Sequence, residues 1–375
     1  MAQVTFGINL RTSFNPAPKA LVPAGSGSFL IAGRAFNDNQ PDTGFALLYN
    51  PNNGILPIVW EQTYGSTYST MFLDAAQLSD GNFIGVGIMF TSIYSGDENL
   101  WIVKMDAKDG SVIWEKNFGT PGVKRDGYAV AATSDGGFVV SAIYLDKSGD
   151  LKTQVIKYDG NGNQSWEVDL DTGVAYSMIP TSDGSFVLSG ATPPDVSGNN
   201  RLFVAKVSGD GKLVWNQVYD QFEAYIMLQS GISELSNGDF AVCGKSIWLK
   251  IAPNGSMIWG FQNDNLILNT VEEMPDQSLS FAGALLDPNG NSRAYVVNVS
   301  PTGSQINWDN TEIESPSSIA QIQLTPSKEV IGTGSTPLGG GSNQLFLAVF
   351  HHAEQLAPNQ GKAPKSSASA TRSAK

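Results

Sequence analysis

Short apolar segments alternate with polar, glycine-containing turns along most of the chain, and they recur in one fixed order. The clearest copy begins with a polar turn at residues 134–137 and an apolar segment at 138–140. An apolar segment at 154–158, a turn at 159–163 and a segment that carries Trp166 follow. Short apolar runs bounded by Gly, Asn, Asp and Ser predict antiparallel β-strands joined by hairpins. With the segment that precedes the first turn, each copy predicts four strands, here labelled A to D.

Tryptophans mark strand D in six copies. They are Trp60, Trp114, Trp166, Trp215, Trp259 and Trp308, and successive members are 44 to 54 residues apart. An internal period of this length is typical of propellers and solenoids. In five of the six copies Asn-Gly or Asp-Gly precedes the tryptophan, and these dipeptides supply the positive φ that tight hairpins require. We expect the six tryptophans to pack between neighbouring sheets.

The turn between strands A and B occurs seven times, once more than the tryptophan. The seventh copy, at residues 318–351, contains strands A, B and C but no strand D, whereas an orphan strand at residues 4–10 opens the chain. An open solenoid would leave two exposed sheet edges, and pairing of the two ends removes them. The sequence therefore predicts one all-β domain at residues 1–354, a seven-bladed β-propeller of four-stranded antiparallel blades. The N-terminal strand would complete the last blade and close the ring.

The C-terminal segment at residues 355–375 has a different composition from the repeats. It is rich in Ala, Ser, Pro and Lys and contains no acidic residue. Three lysines and one arginine give it a charge of +4, so the formal charge of −13 leaves −17 for residues 1–354. This composition is typical of a disordered tail. A basic tail could be ordered by docking on an acidic neighbour, which would place the protein in a larger assembly.

Composition narrows the class of protein. Charged residues make up 15% of the chain, below the usual share of about 25%, which favours an extracellular, cell-surface or particle-associated protein. The negative net charge argues against a nucleic-acid partner. The single cysteine, Cys243, allows no intramolecular disulfide and no cysteine-based metal site, and its apolar surroundings predict a buried thiol. No apolar run approaches the roughly 18 residues of a membrane span, and residues 1–11 lack the features of a signal peptide.

The repeat is similar to known propeller repeats. Residues 104–115, with the sequence KMDAKDGSVIWE, resemble the repeat of PQQ-like propellers. The Ser-Asp-Gly-Gly-Phe turn at 134–138 resembles PQQ-like and WD40-like repeats in secreted bacterial propellers of the Bacteroidetes type. The resemblance covers residues 1–352 and implies the propeller fold. Quinoprotein enzymes with this repeat are usually eight-bladed and use adjacent cysteines at the cofactor, so this chain is expected to hold no PQQ.

Few residues in the pattern suggest catalysis or metal binding. Asp159, Asn161 and Asn163 partly match a calcium loop, in which ligand oxygens occupy alternate positions. They also occupy a C–D hairpin, where Asp and Asn are favoured in any case. His351 and His352 are adjacent, so a strand directs them to opposite faces and they cannot share one site. We expect no enzymatic activity and no cofactor, with calcium at Asp159 as the alternative.

The long loops are the expected site of recognition. Strand order places the B–C and D–A loops on one face, here called the loop face, and loops on a rigid scaffold often carry binding residues. The fifth B–C loop is nearly absent, which predicts a notch near Lys245. Aromatic residues at these loops would either bind a partner or cover the ends of the sheets. The remaining candidate binding residues are Tyr64, Tyr68, Trp101, Tyr219, Phe222, Tyr225, Arg201 and Arg293.

These observations predict a non-enzymatic scaffold that binds a protein or a glycan through the loop face. One alternative is a structural subunit of a larger bacterial or viral particle, anchored through residues 355–375. Another is a hydrolase or lyase that acts on polysaccharide.

Overall fold

The structure is a computed structural model. It describes residues 3–36, 40–54, 57–65, 67–91, 98–119, 124–145, 148–224, 231–303, 305–309, 318–325, 330–338 and 342–351. These residues form twenty-six β-strands and one short 3-10 turn at Gly25–Gly27. No helix among them is long and apolar enough to cross a membrane.

The strands follow one another in the order that the repeats predict. The first thirteen are β1 (Gln3–Leu10), β2 (Asn15–Ala24), β3 (Ser28–Phe36), β4 (Thr43–Tyr49), β5 (Ile58–Tyr64), β6 (Thr70–Gln77), β7 (Phe83–Phe90), β8 (Glu98–Met105), β9 (Val112–Phe118), β10 (Arg125–Ala132), β11 (Phe138–Leu145), β12 (Leu151–Tyr158) and β13 (Gln164–Leu170). The others are β14 (Val174–Pro180), β15 (Phe186–Ala191), β16 (Asn200–Val207), β17 (Leu213–Ala224), β18 (Gly231–Glu234), β19 (Phe240–Ile251), β20 (Met257–Glu273), β21 (Leu279–Leu286), β22 (Ser292–Val299), β23 (Gln305–Asp309), β24 (Ser318–Leu324), β25 (Val330–Leu338) and β26 (Ser342–His351).

These strands form antiparallel sheets arranged as a propeller. Four sheets contain four consecutive strands each, namely β2–β5, β6–β9, β10–β13 and β14–β17. A further four-stranded sheet has the order β1-β26-β25-β24. Its register runs from Gln3 opposite His351 to Leu10 opposite Leu345. The prediction that the N-terminal strand completes the last sheet is therefore confirmed.

The prediction of seven separate blades is wrong, because the described residues form six sheets. One sheet has six strands, β18 to β23, and spans both the fifth and the sixth copies of the repeat. Its strand β20 is 17 residues long; residues 257–262 pair with β19, and residues 266–273 pair with β21. The D–A links of the first three copies each contain glycine, whereas residues 261–273 contain neither glycine nor proline. Strand D of the fifth copy therefore continues into strand A of the sixth.

The hydrophobic core lies between neighbouring sheets. Leu30 and Ala46 of the first sheet pack in one cluster with Phe72, Phe83 and Val103 of the second. Similar clusters join the later sheets around the ring. Burial of apolar faces between sheets is therefore the main force that holds the repeats together.

The repeated tryptophans lock each sheet to the next. The Trp60 indole N–H donates to the Ala107 carbonyl at 3.0 Å, which belongs to the next C–D turn. Gly110 of that turn has a φ of 74°, and a Cβ added there would lie 2.6 Å from the Trp60 ring. The same indole-to-carbonyl contact recurs at Trp114, Trp215 and Trp259. The prediction that the tryptophans pack between neighbouring sheets is confirmed at these positions.

The strands A surround a central channel, and a β-bulge interrupts each of six of them. In β2, for example, Pro18 pairs with Gly33 and Ala20 with Ala32, so Lys19 is the extra residue. A bulge leaves one residue unpaired and turns its side chain to a new direction. We call the six bulge residues the bulge ring. They are Lys19, Leu73, Tyr128, Tyr176, Asn269 and Ala320.

Candidate functional site

The channel encloses a cavity of about 380 Å³. All six residues of the bulge ring line it, as expected if each bulge turns its extra side chain to the channel. Residues Asp74, Glu234, Glu272, Gln321 and Gln323 line it as well. The cavity is therefore a polar site that strands from every part of the ring build together.

Some of the polar groups in the channel serve the fold. The Asp74 carboxylate accepts hydrogen bonds from the backbone N–H of Val130 on the next strand A, at 2.9 Å, and of Ala75, at 2.8 Å. Gln321 likewise accepts from the backbone N–H of Leu21 on the next strand A. Burial raises the pKa of Asp74 to about 7, and these two backbone hydrogen bonds only partly oppose the rise. Residues just after the bulge thus tie neighbouring strands A together.

Other polar groups in the channel have no such structural partner among the described residues. Lys19 makes no hydrogen bond or ion pair there, and burial, with the nearby Arg34 charge, lowers the pKa of its ammonium group. The rings of Tyr128 and Tyr176 meet edge to face at 5.3 Å, and neither hydroxyl has a partner in the described part of the chain. Burial raises the pKa of both phenols, that of Tyr176 to about 12, so both stay neutral at physiological pH.

Glu272 also lacks a partner among the described residues, unlike the neighbouring acids Glu234 and Glu273. Glu273 and Glu234 each accept hydrogen bonds from the backbone N–H and the hydroxyl of a serine, Ser236 and Ser182 respectively. These bonds connect each of the two strands A to the preceding A–B turn. Glu272 has no hydrogen bond or ion pair among the described residues, and burial raises its pKa to about 7.

Three aromatic residues predicted for the loop face are instead buried. Tyr64 and Tyr219 are each 5% exposed and Phe222 is 7% exposed. The Tyr64 hydroxyl donates to the Gly110 carbonyl at 2.7 Å, and the Tyr219 hydroxyl donates to the Gly255 carbonyl at 2.8 Å. The binding role is therefore wrong for these three residues. Their burial agrees with the alternative that such aromatics cover the ends of the sheets, which stays a prediction.

Trp101 is also in the interior rather than beside a loop. It is fully buried, because strand C lies inside its sheet and faces the strands of the adjacent sheet. Its ring stacks on Phe72 at 4.5 Å, and its indole N–H donates to Glu115 at 2.7 Å. The prediction that Trp101 is an exposed binding residue is wrong.

The remaining predicted residues of the loop face have different environments. Tyr68 is 38% exposed. Arg201 forms an ion pair with Asp195 of its own B–C loop at 3.1 Å, and Arg293 is exposed. Lys245 is half-buried in β19, which spans strands B and C of the fifth copy with hardly any loop between them. Tyr225 lies outside the described residues.

The loop face nevertheless exposes apolar side chains. Leu145 and Leu151 are paired across the end of the β11–β12 hairpin and are 39% and 42% exposed. Val196, in the B–C loop of the next sheet, is fully exposed. We call these three residues with Tyr68 the loop patch. The other exposed large apolar residues of the described chain lie on outer strands D, and they are Val59, Val112, Ile113, Leu213, Val214, Val218, Met257, Ile258 and Phe261.

The predicted calcium loop forms a hydrogen-bonded turn. Asp159 accepts from the backbone N–H groups of Asn161 and Asn163 and from the Asn163 side-chain amide, at 2.8 to 2.9 Å. In the part of the chain that the structure describes, no group of three His, Cys, Asp or Glu residues could hold a metal ion. Calcium at this loop stays a prediction.

Two features of the interior escaped the sequence analysis. The first is the bulge ring. The second is a lysine on strand C that reaches the acid of its own A–B turn, as Lys157 does to Asp135 at 2.9 Å. Lys104, Lys206 and Lys250 form the equivalent ion pairs. These lysines lie nine or ten residues before the tryptophan of their copy, and that spacing could have revealed them.

Comparisons with known proteins agree with the fold. The chain resembles the propeller of Dos1, with a TM-score of 0.55 and 8% identity over 92% of this chain and 95% of that one. Two likenesses are weaker. Sqt1 from Chaetomium thermophilum has a TM-score of 0.49 and 10% identity over 92% of this chain and 99% of that one. A protein of unknown function from Bacteroides caccae has a TM-score of 0.46 and 14% identity over 76% of this chain and 94% of that one. At these identities the likeness to Dos1 shows the fold alone. No curated protein sequence matches the chain.

A family model matches the repeats themselves. It matches residues 59–220 and, in a second alignment, residues 98–325. Together these alignments cover more than half of the chain, including the C–D turns and tryptophans of five copies. The chain therefore belongs to the PQQ-like repeat family whose model is described as outer membrane protein assembly factor BamB.

Proposed function

We propose that the chain is a non-enzymatic scaffold that binds a protein partner through the loop patch, Tyr68, Leu145, Leu151 and Val196. The observation that carries the proposal is the exposure of these apolar side chains on one face of the ring. The Leu145–Leu151 pair is held by the register of β11 and β12. A partner would therefore meet a surface that is already ordered, which lowers the entropic cost of binding.

Charged groups beside the loop patch suit a protein interface. Lys152 follows Leu151 and forms an ion pair with Asp171 at 3.0 Å, and Arg201 pairs with Asp195 close to Val196. An apolar centre with a polar, solvent-accessible rim is the usual organisation of such an interface. The family model is described as an assembly factor, which also favours a protein over a glycan as the partner.

The exposed apolar residues on strands D provide a matched control. Ile113 and Val214 precede the tryptophans of their copies and are 46% and 54% exposed. Val59 and Ile258 occupy the same position in two other copies. Their recurrence follows from the repeat, whereas the loop patch lies in segments that the repeats do not share.

The test compares two double variants, each of which replaces two exposed aliphatic side chains by serine. Leu145→Ser with Leu151→Ser changes the loop patch, and Ile113→Ser with Val214→Ser changes the outer strands. A photo-crosslinking amino acid at position 196 first captures the partner from an extract of the source cells. The purified partner is then titrated against each variant.

We expect the loop-patch variant to weaken binding roughly tenfold. Complete burial of an exposed leucine is worth about 1.5–3 kcal/mol, and Leu145 and Leu151 are 39% and 42% exposed. The outer-strand variant should bind like the unchanged protein. If both variants weaken binding equally, or if neither variant weakens it, the loop patch is refuted as the binding site. Binding to a glycan array but to no protein would favour the glycan hypothesis instead.

The two alternatives stay predictions. Residues 355–375 lie outside the described residues, and their deletion would test whether they anchor the protein in a particle. A panel of polysaccharides, with and without calcium, would test the hydrolase or lyase hypothesis.

A further inference from the structure

The bulge ring brings hydrogen-bond donors together at one level of the channel. Lys19, Tyr128 and Tyr176 come from three different sheets, and all three line the same cavity. Each occupies the extra position of its bulge, so the same local geometry turns each side chain to the channel. No described residue accepts a hydrogen bond from the Lys19 ammonium group or from either phenol.

The neighbouring acids do not compensate Lys19. The Asp74 carboxylate is turned to the backbone N–H groups of Val130 and Ala75. Glu234 accepts from the N–H and hydroxyl groups of Ser182. A half-buried ammonium group without a counterion among the described residues is costly. The chemistry at this level of the channel therefore favours a ligand with an anionic oxygen.

Hydrogen-bond acceptors lie at a second level of the same cavity. Glu272 lies three residues beyond Asn269 on β20, and Gln323 lies three residues beyond Ala320 on β24. Glu272 has no partner among the described residues. A ligand that only carried a negative charge would leave the Glu272 side chain without a hydrogen-bond donor, whereas a ligand with hydroxyl groups would supply that donor.

The dimensions of the cavity suit a small ligand. Its volume of about 380 Å³ is within the range of roughly 300–1,000 Å³ that is usual for ligand sites. Tyr128 and Tyr176 add two aromatic rings to its wall. An aromatic face beside carboxylate and amide side chains can contact the C–H face of a sugar ring while its hydroxyls form hydrogen bonds.

We propose that the channel binds an acidic saccharide, a sugar ring that carries a carboxylate. The carboxylate contacts Lys19 and the hydroxyls of Tyr128 and Tyr176, and the ring hydroxyls donate to Glu272. This site is separate from the loop patch and does not depend on the proposed protein partner.

The experiment titrates the full chain with glucuronate, galacturonate, glucose and acetate by isothermal calorimetry, and repeats each titration on variants. Lys19→Met removes the cation, and Tyr128→Phe with Tyr176→Phe removes only the two hydroxyls. Lys212→Met is the matched control, since it removes an exposed lysine of a C–D turn that lies outside both the cavity and the loop patch.

We expect a uronate to bind roughly tenfold or more tightly than glucose or acetate, because hydrogen bonds to a charged group are the stronger ones. Lys19→Met should weaken uronate binding by a similar factor, the tyrosine double variant should weaken it less, and Lys212→Met should leave it unchanged. The melting temperature of Lys19→Met should not fall, since the variant removes a half-buried charge that has no partner among the described residues.

Several results would refute the proposal that the channel binds an acidic saccharide. Absence of uronate binding at millimolar concentration would do so, and so would uronate binding that survives both channel variants. Acetate that binds as tightly as the uronates would refute the saccharide class. If Lys19→Met does not fold, the tyrosine pair decides the question, because it changes no charge.

Discussion

The contact between each tryptophan and the next C–D turn can be measured with a pair of glycine substitutions. Gly110 has a φ of 74°, and a Cβ there would lie 2.6 Å from the Trp60 ring. Gly54 occupies the same turn position in the first copy with a φ of 63°, and no described atom lies within 4 Å of its added Cβ. Both substitutions to Ala impose the same backbone penalty, but only Gly110→Ala also displaces a packed ring.

The expected losses in the free energy of unfolding follow from the backbone penalty and from the displacement of the ring. Ala in the left-handed region costs about 1–2 kcal/mol, and this is the whole expected loss in the free energy of unfolding for Gly54→Ala. Forcing an extra methyl into a packed site costs a further 1–3 kcal/mol or so. Gly110→Ala should therefore lose about 2–5 kcal/mol. The difference between the variants isolates the contact between sheets.

Urea unfolding of both variants provides the measurement. Circular dichroism and tryptophan fluorescence should be followed together, since coincident transitions are needed for a two-state analysis. Gly184→Ala is a second control, because Gly184 has a φ of 79° with open space around its Cβ. If Gly110→Ala and Gly54→Ala lose equal stability, the tryptophan contact adds nothing and the glycine serves only the turn.

Three further predictions concern single side chains. Glu272 has a pKa of about 7 in the folded state, above its unfolded value of about 4.3, so stability should fall as the pH rises from about 4 to 7. Glu272→Gln should reduce that fall by at most about 4 kcal/mol. If the denaturation midpoints of the variant and the unchanged protein shift equally between pH 5 and pH 8, the prediction is contradicted. Hydrogen bonds from the Thr133 hydroxyl and the Lys157 ammonium group lower the pKa of Asp135 to about 2, so its stabilisation should be present above pH 4 and be lost as the pH falls through 2. Because Asp135 is well exposed, Asp135→Asn should cost no more than about 1 kcal/mol at pH 7 and clearly less at pH 2, as thermal melts would show. Burial raises the pKa of the Cys243 thiol to about 12, so Ellman's reagent should react with it in 6 M guanidinium and not in buffer; rapid reaction in buffer would show that the strand opens.

Local interactions explain why most of the fold could be predicted from the sequence. The Gly that precedes each tryptophan has a positive φ wherever the structure describes it, as at Gly162 and Gly211. The apolar segments between such turns form the strands, and the two chain ends meet in β1 and β26. Turn residues and apolar runs act over a few residues, so their effect is visible in the sequence itself.

The exposure of the aromatic residues could not be predicted in the same way. Tyr64 and Trp101 both flank long loops in the sequence, yet both are buried. Tyr64 is covered because its hydroxyl reaches the Gly110 carbonyl of the next copy, 46 residues away. Burial of this kind depends on the distance between two sheets, which the pattern within one copy does not contain.

The sequence by itself determined the repeat, the turns, the all-β propeller and the closure of the ring by the N-terminal strand. Only the tertiary structure decided that β20 joins two copies in one sheet and that bulges direct Lys19, Tyr128 and Tyr176 to one cavity. The physical reason is that a bulge is a property of the pairing between two strands. The side chains that meet in the channel come from different sheets, and only the closed ring brings them together.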